Sequence, residues 1–359
     1  MSKNNKLFAK LQKLEGAVNL DYDPFLHVIK TPSPGVNWCF ANKGFGLPQG
    51  YSMVLWGPPK SGKSVLCNAF TGRVHRDFPE AYTVGFNTEL RGELQQSDAS
   101  LKLFGIDPER HITFDVNEPN LIFDRIENEI CGLVDEGLDI KMIVIDSMKN
   151  ILGRRQQNAT TVDQQQIGNQ AATIQDGLAR ILAPLRRRKI SLIMTTHARA
   201  ELDRVENMRG KDKKMAAAFA LKHYAEYFCY VEPNESKKGR TDLAGEEFTN
   251  PEVKDFMDKA SKTGHKIRFR VDGNSIGPAG RTAEFTLSYT KGIVNQYEEI
   301  FTLAKQYNVI ERPNNVTYKY GEQQWRGVKA MLEALRDDPA LAEEVLSQVY
   351  QKDLQHLGG

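Results

Sequence analysis

The stretch YSMVLWGPPKSGKSV, Tyr51 to Val65, decides the fold class. Its first half is apolar, the pattern of a strand buried on both faces. That strand runs straight into Gly57-Pro58-Pro59-Lys60-Ser61-Gly62-Lys63-Ser64, which has the spacing G-x-x-x-x-G-K-S of a loop that cradles phosphate groups. Glycines let backbone N–H groups converge on phosphate oxygens without a Cβ in the way. A helix opening near Gly62 aims its positive end at the same oxygens. Lys63 adds a full charge, and the Ser64 hydroxyl can ligate Mg2+. The binding segment runs from Gly57 to Val65. Kinases, GTPases, helicases, recombinases and pumps all use such a loop, so the reaction has to be read elsewhere.

Bulk properties set the outer limits. At 359 residues the chain has room for about two domains. Its net charge is only +2, so any nucleic-acid surface must be a local patch. Cys39, Cys67, Cys131 and Cys229 are far apart in apolar contexts and read as buried free thiols in a reducing compartment. The first residues, MSKNNKLFAKLQKLEG, lack an apolar core of signal-peptide length. No run approaches the roughly 20 apolar residues of a membrane span. The expectation is a cytoplasmic protein with no membrane partner.

Along the chain, residues 6–15 read as a short amphipathic helix with Leu7, Phe8, Leu11 and Leu14 on one face, followed by the linker TPSPG at 31–35. A helix this short is marginal alone, so its apolar face calls for a partner surface. Strands are expected at 51–57, 82–87, 111–115, 141–146, 189–196 and 224–232. Helices are expected at 63–77, 96–104, 119–136 and 166–187. The last keeps Ile167, Ala171, Ile174, Leu178, Ile181, Leu182 and Leu185 on one face. This alternation argues for an α/β fold with a mostly parallel central sheet. Residues 233–264 are polar and read as a surface insertion. Strands at 266–272 and 282–289 resume the sheet. From 293 onward, helix, short strands and two further helices make a small α+β C-terminal domain. The divisions are a 1–35 arm and linker, a 36–292 core and a 293–359 C-terminal domain.

Three strand ends supply candidate chemistry. KMIVIDS, 141–147, is an apolar strand with Asp146 at its carboxyl end, where ligands gather in a parallel sheet. Next to a phosphate loop, that carboxylate reads as a holder of Mg2+ through its water shell rather than a turn cap. YTVGFN ends in Thr88-Glu89, and Glu89 could polarise an attacking water. Taken alone it would read as a surface carboxylate. SLIMTTHARA ends its apolar run in Thr195-Thr196-His197, and His197 could sense a γ-phosphate at that edge.

Two long segments follow two of these strands. Residues 148–165 carry Lys149, Arg154 and Arg155, and residues 198–216 carry Arg199, Arg204, Arg209, Lys211, Lys213 and Lys214. Basic loops rich in Gln and Asn suit a phosphodiester backbone without base readout. The competing reading is a solvated loop, because Glu201, Asp203, Glu206 and Asp212 dilute the charge.

Taken in order, these segments resemble a RecA/UvsX-type recombinase. The segments are the stretch from Ile29 through the phosphate loop, NTE before LKLFGIDPERHI, IVIDS, ALKHYA at 220–225 and NSIGPAGRTAEFTLSYTKGI. The likeness spans about residues 26–352. It implies a RecA-like P-loop NTPase core using ATP and Mg2+. Lys63 and Ser64 would bind phosphate and metal. Glu89 would activate water, Asp146 would hold Mg2+ from its second shell, and His197 would couple the γ-phosphate to the second DNA-binding loop. The arm would pack on a neighbouring protomer to build a helical filament. Cellular members of the family have lysines near what are here Gly273 and Ser275; this chain has neither, and Arg268, Arg270 and Arg281 are the nearby cations. Ala217-Ala218 stands where a glycine pair is usual, and an acidic tail is absent. These departures, with His197, resemble the phage-like branch, a protein of the bacterial cytoplasm made by a phage in its host.

The implied function is ATP-dependent strand exchange on single-stranded and double-stranded DNA by a homo-oligomeric filament. Single-strand-binding and mediator proteins would be its further partners. The alternatives are a replicative helicase of the same fold, a filament-accessory ATPase and, with no support from the basic loops, a small-molecule kinase.

Overall fold

The computed structural model describes residue 10 and residues 23–90, 98–151, 167–200, 213–215, 221–234 and 264–357. The 6–15 helix, apart from Lys10, and nearly all of the 233–264 insertion lie outside the described residues.

Nine strands form one continuous path of a ten-stranded sheet. They are β3 (Ser52–Gly57), β4 (Tyr82–Asn87), β5 (His111–Asp115), β6 (Ile140–Asp146), β7 (Ser191–Ala200), β9 (Tyr227–Pro233), β10 (Gly264–Asn274), β11 (Thr282–Ser288) and β12 (Gly292–Val294). The order is β12-β11-β10-β9-β3-β7-β6-β4-β5, with β8 (Lys213–Met215) pairing β7 from off the path. The run from β9 to β5 is parallel; β10, β11 and β12 add an antiparallel edge. Two short ribbons lie outside this sheet, β1 (Val28–Ile29) with β2 (Leu47–Pro48) and β13 (Thr317–Tyr320) with β14 (Gln323–Arg326).

The central strands are apolar at consecutive positions because both faces are covered. Met53, Leu55, Met142, Val144 and Ile193 point into one cluster, while Val54, Ile143, Ile145, Leu192 and Met194 point into the other. The first face packs on helix Lys63–Asp77 through Leu66, Cys67, Phe70 and Val74. The second packs on helix Ile167–Arg187 through Ile174, Leu178, Ile181 and Leu185, and on the segment 119–135. Residues Arg125–Ile130 of that segment form a π-helical turn between Pro119–Asp124 and Cys131–Asp135.

The stretch TPSPG, read above as a linker, is buried. Ser33 caps a helix, Pro34–Cys39, by accepting from Val36 N at 3.1 Å, with Pro34 at its first position. The Ser-Pro pair is a helix-start signal there. The C-terminal elements are helices Gln296–Gln306, Val328–Asp337 and Pro339–His356 with the β13–β14 ribbon. They bury Phe301, Leu335, Val345 and Val349 in the same cluster as the first sheet face. Phe45 and Tyr350 stack with ring centroids 3.8 Å apart. The second basic segment also differs from a plain loop: β7 continues to Ala200 and pairs with β8, Arg199 opposite Lys214. The four cysteines are buried and free. Among the described residues no helix is long and apolar enough to cross a membrane.

Candidate functional site

Register alone brings the singled-out residues to one edge. Gly57, where β3 ends, lies opposite His197 on β7, and Asn87, where β4 ends, lies opposite Asp146 on β6. Helix Lys63–Asp77 starts at this edge, and its cap, Gly62, has φ +95°, a region that costs other residues strain. A Cβ on Gly62 would lie 2.5 Å from Ile267 Cδ1, and one on Gly57 would lie 2.0 Å from the Val231 carbonyl oxygen. Both glycines are therefore dictated by backbone and packing. Lys60 also has positive φ.

The Lys63 ammonium is folded inward. Its Nζ donates to the carbonyls of Pro58 at 2.8 Å and Gly57 at 3.2 Å and to Ser61 Oγ at 3.2 Å. Burial pushes its pKa below the usual lysine value, while Asp146 opposes that shift. Ser64 Oγ donates to Asp146 Oδ2 at 2.6 Å. Thr195 Oγ1 donates to Asp146 Oδ1. The Asp146–Ser147 peptide is cis, and Thr88 clasps the turn there, its Oγ1 donating to Ser147 O at 2.6 Å and accepting from Ser147 N at 2.8 Å.

Glu89 stands just past β4. Its backbone N–H donates to Asn87 Oδ1 at 3.1 Å, and Asn87 Nδ2 donates to Asp115 Oδ1 at 2.9 Å. His197 Nε2 lies 3.4 Å from Glu89 Oε1. That partner asks Nε2 to carry the proton, which leaves Nδ1 as the acceptor, buried and without a hydrogen bond among the described residues. Burial, then the Lys63 charge, lower the His197 pKa against the contact with Glu89, so the ring is neutral at pH 7. A cavity of about 40 Å3 lies beside the loop, lined by Ser64, Asn68, Thr71, Asn87, Thr113 and Asp146 among others.

The metal-side donor set is all oxygen, the hydroxyl of Ser64 backed by the Asp146 carboxylate, and this suits Mg2+, a hard cation that keeps several waters. The residues present thus fit an Mg2+–triphosphate. Lys63, Ser64, Asp146, Glu89 and His197 come together as the sequence places them. Thr195, Thr88 and Asn87 were passed over. Their signal was a hydroxyl or amide at the carboxyl end of an otherwise apolar strand. Of the basic residues, Arg154, Arg155, Arg204, Arg209 and Lys211 lie outside the described residues, and Arg199, Lys213 and Lys214 are placed by backbone in the β7–β8 pair. Arg281, one of the three cations near the missing lysines, is committed elsewhere: it forms a two-pronged pair with the fully buried Asp353. Arg268 pairs with Glu232 and Glu284, and Arg270 with Asp272.

The chain is similar to proteins named RecA. It is 24% identical over 313 residues to Protein RecA of Streptomyces venezuelae, covering 86% of this chain and 72% of that one. It is 25% identical over 341 residues to Protein RecA of Gloeobacter violaceus, covering 94% and 82%. With Protein RecA of Mycoplasmopsis pulmonis the figures are 22% over 312 residues, 87% and 82%. No family model matches the chain. The relatives support a RecA-type recombinase, and the α/β fold with its large, mostly parallel sheet fits a RecA-like core.

Proposed function

We propose that this chain is an ATP-dependent strand-exchange protein of the phage-like branch, which assembles as a helical filament on single-stranded DNA and pairs it with homologous duplex. One observation carries the reading: a single sheet edge joins the phosphate loop, the Ser64–Asp146 pair and the Glu89–His197 pair, in a chain similar to RecA proteins over most of its length.

Each residue has a part. The loop's N–H groups and Lys63 would hold the β- and γ-phosphates, and Ser64 with Asp146 would hold Mg2+, which when bound offsets the phosphate charge. Glu89 orients the attacking water and takes its proton. His197 touches that carboxylate from β7, the strand that leads into the second basic segment. A change in the γ-phosphate can therefore reach residues 198–216 along one strand. ATP favours the DNA-gripping state only to the extent that it binds that state better. The short helix at residues 6–15 of the 1–35 arm and linker would dock on a neighbouring copy, and residues 293–359 would form the small C-terminal domain. Arg154, Arg155, Arg199, Arg204, Arg209, Lys211, Lys213 and Lys214 would contact DNA phosphates. The setting is the cytoplasm of a bacterial host, where single-strand-binding and mediator proteins would meet the filament.

A helicase of the same fold is the second reading, and a filament-accessory ATPase the third; Glu89 beside His197 favours hydrolysis over an accessory role. Electron microscopy with single-stranded DNA and a non-hydrolysable ATP analogue decides. Long helical filaments are expected, and closed rings would support the helicase.

A further inference from the structure

Asp146 has a second tether that the phosphate loop does not supply. Ser64 reaches Oδ2 from the helix side, and Thr195 reaches Oδ1 from the adjacent strand β7. Thr195 is fully buried and sits in the ladder opposite Leu55 of β3. It is β-branched, so its hydroxyl has little rotamer freedom. The carboxylate is thus held at both oxygens by two elements that the sheet fixes relative to each other. Thr195 also lies on the same face of β7 as His197, two residues on.

We propose that Thr195 is a positioning residue that holds Asp146 as an outer-sphere acceptor and so sets the preference of the site for Mg2+ over Ca2+. The inference rests on the reading of this edge as an Mg2+–ATP site. Mg2+ demands near-octahedral geometry at about 2.0–2.1 Å and keeps its waters, whereas Ca2+ takes about six to eight oxygens and accepts a carboxylate in bidentate fashion. A carboxylate tethered at both oxygens is kept from swinging into direct contact and presents a fixed acceptor to a metal-bound water. Releasing Oδ1 lets the group rotate toward the ion. That rotation spoils the outer-sphere geometry Mg2+ needs and offers the inner-sphere oxygen Ca2+ tolerates. Partners that orient metal-binding groups commonly govern metal affinity by about 10–100-fold.

The test uses the full chain and a fluorescent ATP analogue, titrated with Mg2+ and separately with Ca2+. Thr195→Val keeps shape and removes the donor, and Thr195→Ser keeps the donor. Melting curves without nucleotide show which variants are folded. Thr195→Val is expected to weaken Mg2+-dependent binding by about 10-fold or more and Ca2+-dependent binding less, narrowing the Mg2+/Ca2+ ratio; Thr195→Ser should restore the ratio. If Thr195→Val does not fold, Thr195→Cys, close in shape and a weak donor, takes its place with the same expectation. A folded variant with the parental ratio, or a Thr195→Ser that behaves like Thr195→Val, would show that Thr195 only satisfies a buried carboxylate. Parental protein that binds the analogue without any metal dependence would instead sink the Mg2+–ATP reading.

Discussion

His197 Nε2 on β7 lies 3.4 Å from Glu89 Oε1 beyond β4, although β6 runs between the two strands. The contact passes over the end of β6, just where Asp146 sits. The carboxylate proposed to activate water, the carboxylate proposed to back Mg2+ and an imidazole are therefore neighbours at one edge.

Glu89→Gln keeps the size of the side chain and removes its basicity. Nucleotide and DNA binding should persist while ATP turnover falls by about 10²–10⁴-fold, the usual loss for a missing general base. Phosphate release measured with saturating single-stranded DNA checks this. Near-parental turnover would exclude Glu89 as the base.

Much of this edge was legible because parallel strands buried on both faces write apolar runs, and the residues that end those runs sit where ligands collect. MIVID and SLIMTTH are such runs, and β4 and β5 fall on the expected residues, 82–87 and 111–115. The buried helix Pro34–Cys39 was missed because Thr31-Pro-Ser-Pro-Gly35 has turn composition, and only tertiary contacts show that Ser33 works as a cap. The Thr195–Asp146 tether was invisible for a different reason. It depends on which strand lies beside β6, and strand order is not written in periodicity.

Arg281, one of the cations near the missing lysines, has a geometry that predicts a structural effect. Its Nη1 and Nη2 donate to Asp353 Oδ2 and Oδ1 at 2.8 and 2.7 Å, Nη1 also reaches the Trp38 carbonyl, and Asp353 is fully buried. Removing one partner strands a buried charge. Arg281→Ala should cost about 3–5 kcal/mol of stability by urea denaturation, with Asp353→Asn costing less because the Arg281 charge it leaves keeps some solvent exposure and its bond to the Trp38 carbonyl, whereas Asp353 is fully buried. Equal stability of Arg281→Ala and the parent would mean that solvent reaches Asp353.

Glu299 predicts a pH dependence. It is buried, accepts from Ser33 Oγ and Gly35 N, and burial pushes its pKa up to about 8, with Glu298 adding to the shift. Lys266 pairs with Glu298 nearby, and Tyr350 and Cys39 face the carboxyl from the last helix and the first. The folded state holds this proton where the unfolded chain has lost it, so stability should fall as pH rises from the ordinary Glu range to about 8. His111, lowered to about 4, gives the opposite slope at pH below its ordinary value. The clean window is therefore pH 7–8, with a slope of at most about 1.4 kcal/mol per pH unit for one proton. Glu299→Gln should flatten it; identical pH profiles for variant and parent would refute the buried-proton account.

DNA affinity should fall as salt rises, with part of the slope belonging to the second basic segment. Each phosphate neutralised on a single strand contributes about −0.7 to the log–log salt slope. Lys213 and Lys214 sit on β8 opposite Ala200 and Arg199 of β7, which lie three and two residues beyond His197. Replacing Arg204, Arg209, Lys211, Lys213 and Lys214 together with Ala should flatten the slope by a few units at most, since not all need touch phosphate. Binding should weaken alike for all sequences, because backbone contacts carry no base information. ATP binding without DNA should be unchanged, as none of the five is among the residues proposed to hold the nucleotide. Fluorescence anisotropy on labelled oligonucleotides across a salt series measures both quantities. A variant that keeps the parental slope would make residues 198–216 a connector and move the DNA path elsewhere on the molecule.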